Sequence, residues 1–503
     1  MKVLLSFSLL IFSTPLWSQS VTDALLFTQE DLSGTARYTG MAGSFGALGG
    51  DLSAVADNPA AAGVFNFSEL GLVAAINNQE ITSTYFSTAT AQEQSQFRFN
   101  HFGLVYTLKN SIENTDWTKL AFAFNIKKVA DFGAKRNALG TNSSQNLGNY
   151  FTYYADGLAT EKIELFEDET IPGVYEYLGD NFGYGAQQAF LGYQSYIIDP
   201  LVDDGRNTEY RSNVAGSVQH DWSSQQKGRH YKYNFALSGV YKDKLYLGAA
   251  LNSHRLEFEH RTILRERSTN SNSPVQSIIF ENVLNTYGSG FSAQVGMILK
   301  LPLSFRLGIS YQSPVWWSFE EEGQQALKSE GLFEDGLVTT VVEPNVVNRF
   351  PDYQLRIPSV TRLSLAYIFK DKGLLSVDYS RSDISGLQFD TESQGNYLGG
   401  LNNLFQNNFI AREKISIGGE YRIGRIQLQG GYLSASNPDK KIQKTDQAYT
   451  AGLSYDLGGN LFGISMVNHI RNRQDTLYSE GLTSAVATEA IHTQIFLTYL
   501  LKL

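Results

Sequence analysis

The C-terminal stretch Ile491-His492-Thr493-Gln494-Ile495-Phe496-Leu497-Thr498-Tyr499-Leu500-Leu501-Lys502-Leu503 decides the fold class. Ile491, Ile495, Leu497, Tyr499, Leu501 and Leu503 fall on one face with Thr493 between them. His492, Gln494, Thr498 and Lys502 share the other face, interrupted by Phe496 and Leu500. A period of two fits this series better than one of 3.6, so it predicts a strand and not a helix. Related series lie upstream: Leu363, Leu365, Tyr367 and Phe369 against Arg362 and Ser364, and Ile426, Leu428 and Tyr432 against Gln427 and Gln429. Alternating segments of about ten residues are what a wall between lipid and a polar lumen requires. About fourteen begin near Leu70, Phe97, Thr118, Tyr231, Leu245, Gly288, Leu303, Thr361, Leu374, Lys414, Arg425, Tyr449, Leu461 and Ile491. An even number suits a closed bacterial barrel.

The connections point the same way, because every second one is short. Lys242-Asp243-Lys244, Lys370-Asp371-Lys372-Gly373, Ile423-Gly424 and Gly458-Gly459-Asn460 read as tight turns. The other connections are expected to be longer: Ala130 to Arg229 above all, then Arg265 to Tyr287, Glu320 to Ser359 and Ser385 to Arg412. Outer-membrane barrels keep short turns in the periplasm and long loops outside, so both chain ends are expected in the periplasm. Tyr106, Tyr241, Tyr367, Tyr421 and Tyr455 end alternating runs beside short turns, as an interfacial aromatic girdle would. A soluble sandwich core has no such requirement, and no repeat of a propeller-like period of about 40 to 50 residues is present.

Composition agrees with a β protein in a membrane. The 503 residues are 42% hydrophobic and include 45 glycines, 28 tyrosines, 31 phenylalanines and only 11 prolines. A formal charge of -10 argues against nucleic acid as a partner, since phosphate backbones need a basic surface. Cysteine is absent, which removes disulfides, thiolate metal sites, thiol nucleophiles and a lipoprotein anchor. Met1-Lys2, the apolar run Val3 to Phe12 and Ser13-Thr14-Pro15-Leu16-Trp17-Ser18 predict a signal peptide over residues 1–18. The run is too short to span a bilayer, which takes about 20 residues, and no later stretch supplies a spanning helix. An exported chain of this kind enters a membrane only as a closed barrel.

Chemistry-bearing patterns are sparse. His101, His220, His230, His254, His260, His469 and His492 show no zinc or haem spacing, so no metal or other cofactor is expected. Glu320-Glu321-Glu322 reads as a solvated run. No Gly-x-Ser-x-Gly elbow occurs, and an enzyme is not expected.

Residues 19–67 differ from the rest: rich in glycine, alanine and serine, and without alternation. Within them Gly46-Ala47-Leu48-Gly49-Gly50-Asp51-Leu52-Ser53-Ala54-Val55-Ala56-Asp57-Asn58-Pro59-Ala60 is the most informative stretch. A nucleotide loop is excluded by the lack of a following Lys-Ser/Thr, and the small residues suit close packing with a sharp turn at Asn58-Pro59. A glycine-rich run, then Gly-Asp-x-Ser-Ala-Val, then Asn-Pro-Ala before the first strand resembles the FadL-type family of outer-membrane transporters, which includes long-chain fatty-acid transporters and aromatic-hydrocarbon porins. The motif resemblance covers roughly residues 36 to 66; beyond it the resemblance is topological. It implies a fourteen-stranded transmembrane β-barrel over residues 68–503, plugged by a hatch of short helices, with Gly49, Gly50, Asp51, Asn58, Pro59 and Ala60 as the hatch motif. It further implies passive, hatch-gated transport of a hydrophobic small molecule across the outer membrane.

Two departures prevent transfer of ligand residues from the family. The chain ends in Leu503 where many barrels end in an aromatic, and its longest loop, 130–229, follows the third strand. The local candidates for catching an apolar ligand are Trp316, Trp317 and Phe319 at the outer end of the seventh strand, which read more readily as interfacial belt residues. Some FadL-like barrels serve protein secretion, so an assembly or shuttle role is the alternative. A protein partner would then dock on the long loop, with its Asn149-Tyr150-Phe151-Thr152-Tyr153-Tyr154 run and Tyr193 and Tyr196.

Overall fold

The computed structural model describes residues 21–110, 115–333, 336–370, 372–390, 395–442 and 444–503. The expected signal peptide lies outside them. Fourteen antiparallel strands close into one barrel. The first six are β1 (Glu69–Tyr85), β2 (Thr88–Lys109), β3 (Trp117–Asp131, resuming as Ala134–Asn142), β4 (Val218–Tyr241), β5 (Leu245–Ser268) and β6 (Val275–Lys300). Three interrupted strands follow: β7 (Phe305–Gln312 and Val315–Phe333), β8 (Asn348–Ile357 and Val360–Phe369) and β9 (Gly373–Asp383, then Gln388–Phe389). The last five are β10 (Ala411–Ile423), β11 (Ile426–Ala435), β12 (Asp446–Asp456), β13 (Asn460–Thr476) and β14 (Ala485–Lys502). Closure is made by β14 against β1, from Glu69↔Lys502 to Tyr85↔Val486. Each alternating segment found in the sequence falls on one of these strands or within two residues of its start.

Side chains sort as a transmembrane barrel demands, with apolar groups outside and polar ones inside. Phe122, Phe235, Leu251, Leu365, Ile417, Leu453 and Ile464 are exposed on the outer surface, while His101, Asn125, Asn234, Asn252, Ser364, Thr450 and Gln494 are buried in the lumen. The inward polar groups satisfy one another across the ladder. Asn125 donates to Asn234 (3.3 Å), Asn234 to Asn252 (2.7 Å) and Asn252 to Ser292 (3.1 Å), stepping from β3 to β6. This matters because an unpaired amide sealed in a wall costs about 1–3 kcal/mol.

The strands run on beyond the expected membrane band, and this corrects the expected loop lengths. The link from β1 to β2 is only Phe86-Ser87, and most of 265–287 and 320–359 is strand. Alternation with polar residues on both faces continues there, as in Gln92 to Ser95 of β2, so ladder bonding persists after the apolar outer face has ended. The excursion expected over 130–229 narrows to 143–217 for the same reason. It holds the helices α4 (Leu147–Ala155), α5 (Thr160–Ile163), α6 (Ile171–Phe182) and α7 (Tyr184–Gln194); α8 (Gly395–Asn408) lies between β9 and β10. The breaks in β7 and β8 coincide with Pro314 and Pro358, which have no N–H to give the ladder.

The N-terminal segment lies inside the barrel at its short-turn end. It contains α1 (Val21–Phe27), α2 (Ala36–Gly40), α3 (Leu52–Val55) and a 3-10 turn over Pro59–Val64. Met41, Phe45, Leu52 and Ala60 to Ala62 form one buried cluster with inward residues such as Val105, Ile298, Ala366 and Phe496.

Candidate functional site

Local chemistry explains the motif residues one by one. Gly49 and Gly50 both have positive φ, 61° and 65°, a turn that costs glycine little. Asp51 caps α3, accepting from the Ser53 N–H at 2.8 Å and from the Thr35 hydroxyl at 2.7 Å. Asn58 caps the 3-10 turn by accepting from the Ala60 N–H (3.1 Å), and Pro59 follows where a missing N–H does no harm. The Asn58 amide also donates to Gly46 O (2.7 Å) and to Met297 O of β6 (3.2 Å), so one residue starts the turn, clamps the segment and ties it to the wall.

The wall holds the segment chiefly by its backbone. The Asp57 carbonyl accepts from Gln294 (2.6 Å), Ser310 (2.8 Å) and Arg362 (2.9 Å). Gly46 N–H donates to Asp378 (2.8 Å), Ala36 N–H to Thr498 (2.7 Å), and Lys232 and Thr450 donate to Ala56 O and Gly40 O (both 2.8 Å). The approach is close because the wall is glycine where it meets the segment. Gly71 faces Gly103 beside Leu52, Gly248 faces Gly296 beside Pro59 and Asn58, and Gly418 faces Gly431 beside Met41. The signal for this was in the sequence, as glycines inside strands mark close backbone approach.

Between this segment and the long-loop end lies a chamber. Its apolar side carries Phe27, Val315, Trp317, Ile357, Pro358 and Ile384. Phe27 stacks on Phe319 (5.0 Å between centroids), Phe319 on Trp317 (5.3 Å), and Tyr353 on Phe319 (5.3 Å). The three aromatic candidates therefore separate. Trp317 and Phe319 point inward, 2% and 0% exposed, whereas Trp316 is 50% exposed on the outer face. Strand alternation makes this split, and the trio sits near the middle of β7 and not at its outer end.

The other side of the chamber is charged. Asp57 lies 3.5 Å from Arg362 and 3.9 Å from Lys127, and accepts from the Tyr38 hydroxyl. Burial works against its ionisation, but Arg362, Lys127 and Lys232 outweigh burial and hold its carboxyl far below the usual range. Asp31 pairs with Arg471 at 2.8 Å, and its carboxyl is likewise lowered by that guanidinium against burial. His230, His254 and His469 also line the chamber, with His230 Nε2 2.9 Å from His254 Nδ1. Among the described residues no group of three or more His, Asp or Glu is placed to hold a metal ion.

The long-loop end is filled by α4 to α7. Tyr150, Phe151, Tyr175, Leu178, Phe190 and Leu191 pack on Trp222, Leu264, Phe280 and Leu327 of the extended strands. A buried polar chain fixes the start of α4: Tyr85 Oη lies 2.9 Å from His220 Nδ1, His220 Nε2 lies 2.8 Å from Glu266, and Glu266 accepts from Leu147 N–H at 2.8 Å. Of the aromatics considered for partner docking, Tyr150 and Phe151 are buried here, while Tyr153 and Tyr196 remain exposed.

No family model matches the sequence, and no curated protein is similar to it. The fold does have relatives. The chain superposes on a Pseudomonas aeruginosa FadL homologue with a TM-score of 0.53 at 11% identity, covering 94% of this chain and 98% of that one. The Pseudomonas putida toluene transporter TodX gives 0.51 at 10% identity, covering 94% and 99%. The Ralstonia pickettii toluene transporter TbuX gives 0.50 at 14% identity, also covering 94% and 99%. The architecture is thus that of FadL-type outer-membrane barrels.

Proposed function

We propose that this outer-membrane barrel moves a hydrophobic small molecule, such as a long-chain fatty acid or a similar apolar compound, by passive diffusion gated at the N-terminal hatch. The observation that carries the proposal is the chamber beside the N-terminal segment, lined by Phe27 and Trp317 of an aromatic stack that Phe319 and Tyr353 continue into the wall. A fold shared with proteins named as toluene transporters supports it. Burial of an alkyl chain gives about 0.8 kcal/mol per methylene, enough to draw a long chain from dilute solution. The reading also takes the short turns and both chain ends as periplasmic, so capture occurs at the capped end and release at the hatch.

The test is native mass spectrometry with lipid extraction on detergent-purified protein. An apolar molecule should stay bound to the wild type and to Trp316→Ala, and be lost from Trp317→Ala and Phe319→Ala. Equal retention by all four would remove the chamber from the argument. The second reading, a shuttle for protein secretion, draws on the exposed Tyr153 and Tyr196 of the cap. A consistently empty barrel that co-purifies with a protein partner, and loses it when both tyrosines are changed to serine, would favour that role instead.

A further inference from the structure

Glu30 is the odd charge of the chamber. It lies between α1 and α2, is exposed to the space inside the barrel, and lines both the main chamber and its side pocket. Its acidic neighbours are engaged: Asp31 with Arg471 at 2.8 Å, Asp57 with Arg362 at 3.5 Å. Glu30 makes no hydrogen bond and no direct ion pair among the described residues; it lines the main chamber together with Lys414 and the side pocket together with Lys232 and Arg362. Lys414 and Arg381 on the wall also lack a direct partner among the described residues. Three acids, Glu30, Asp31 and Asp57, thus face six bases in the two connected cavities: Lys127, Lys232, Arg362, Arg381, Arg412 and Lys414.

Two further groups belong to residues that line the same space. His230 Nδ1 and His469 Nε2 are buried without a hydrogen-bond partner, and both side chains, 5% and 8% exposed, line the chamber. A buried polar atom without a partner is costly, and a ligand that brings hydrogen-bonding oxygens removes the cost. The opposite wall offers the aromatic stack.

We propose that Glu30 is a built-in surrogate for the head group of an anionic amphiphile, whose acidic head displaces the Glu30 carboxylate from the Lys414 side of the chamber while its apolar chain lies on Phe27 and Trp317. This rests on the transport reading above and adds the charge selectivity of that site. The exchange replaces one anion by another, so the basic groups keep a counter-charge in either state and no bare cation is left in a low-dielectric cavity. A neutral molecule cannot make the exchange and leaves Glu30 in place.

The experiment measures binding of palmitate, hexadecyl phosphate and hexadecanol to the full barrel in uncharged detergent, with heat-modifiable gel mobility as the check on folding. Glu30→Gln should tighten an anionic probe about tenfold and leave hexadecanol within about twofold. Lys414→Gln should weaken the same probe by about tenfold, and the double variant should lose the gain. Tightening of palmitate alone assigns a carboxylate head, and tightening of hexadecyl phosphate alone a phosphate ester. Equal effects on charged and neutral probes, weaker anion binding by Glu30→Gln, or a gain that survives loss of Lys414 would overturn the inference. Hexadecanol binding with no preference for anions sinks this inference and leaves the transport reading standing. Failure of the folded wild type to bind any of the three sinks both.

Discussion

At the short-turn end the lumen is filled by small residues whose backbone is bonded by wall side chains, as at the Asp57 carbonyl with its three donors. At the long-loop end it is filled by aromatic side chains of α4 to α7, packed on one another and on the extended strands. Directional bonds to backbone tolerate one geometry, and glycine-lined contacts leave no room for a second. The helical closure rests more on apolar packing, where volume-conserving changes are tolerated, with directional bonds such as those of His220 and Glu266 at the start of α4. The difference predicts that the N-terminal closure tolerates substitution less well than the helical one.

The sharpest way to break this contrast is Asp57→Leu, which leaves Arg362 and Lys127 without their carboxylate. Loss of one member of a buried ion network costs about 3–5 kcal/mol, and urea unfolding in micelles should show it together with proteolysis of the plug. A proton gives a graded version of the same loss. The Asp57 carboxyl titrates lower in the folded protein than in the unfolded chain. Its contribution is therefore fully present above the unfolded value of about 4 and fades as pH falls below it. Proteolytic protection of the plug should hold steady from pH 7 to about pH 5 and decline progressively below about pH 4; a loss near pH 6 would contradict this sign.

Gly296→Val tests the close approach. Its Cβ would run into the Asn58 amide and Pro59, and such overpacking costs about 1–3 kcal/mol, read as a lower unfolding midpoint. The cap should be more forgiving. Phe151→Leu keeps most of the buried volume beside Phe280 and should cost less than about 1.5 kcal/mol with barrel folding unchanged. If Phe151→Leu proves as damaging as Asp57→Leu, the contrast between the two closures is lost.

The sequence by itself determined the barrel. Period-two alternation is a local property of ten residues, so the fourteen segments and the short links were legible from it, whereas the split of Trp316 outward from Trp317 and Phe319 inward came only with the structure. Asn58-Pro59 likewise carried its own turn, because a cap and its N–H lie two residues apart. The loop lengths were less legible, since ladder pairing outside the apolar band leaves only polar alternation as a trace.

What only the tertiary structure decided are the partnerships made by closing the wall around the N-terminal segment. Asp57 meets side chains from residues 127 and 362, and Glu30 comes to face Lys414 on β10, across sequence distances that no local pattern encodes. The wall glycines were visible as residues, but their pairing as Gly71 with Gly103 and Gly248 with Gly296 depends on register. Alternation fixes which face a side chain takes; barrel closure fixes which neighbours it finds there, and the chamber is made of those neighbours.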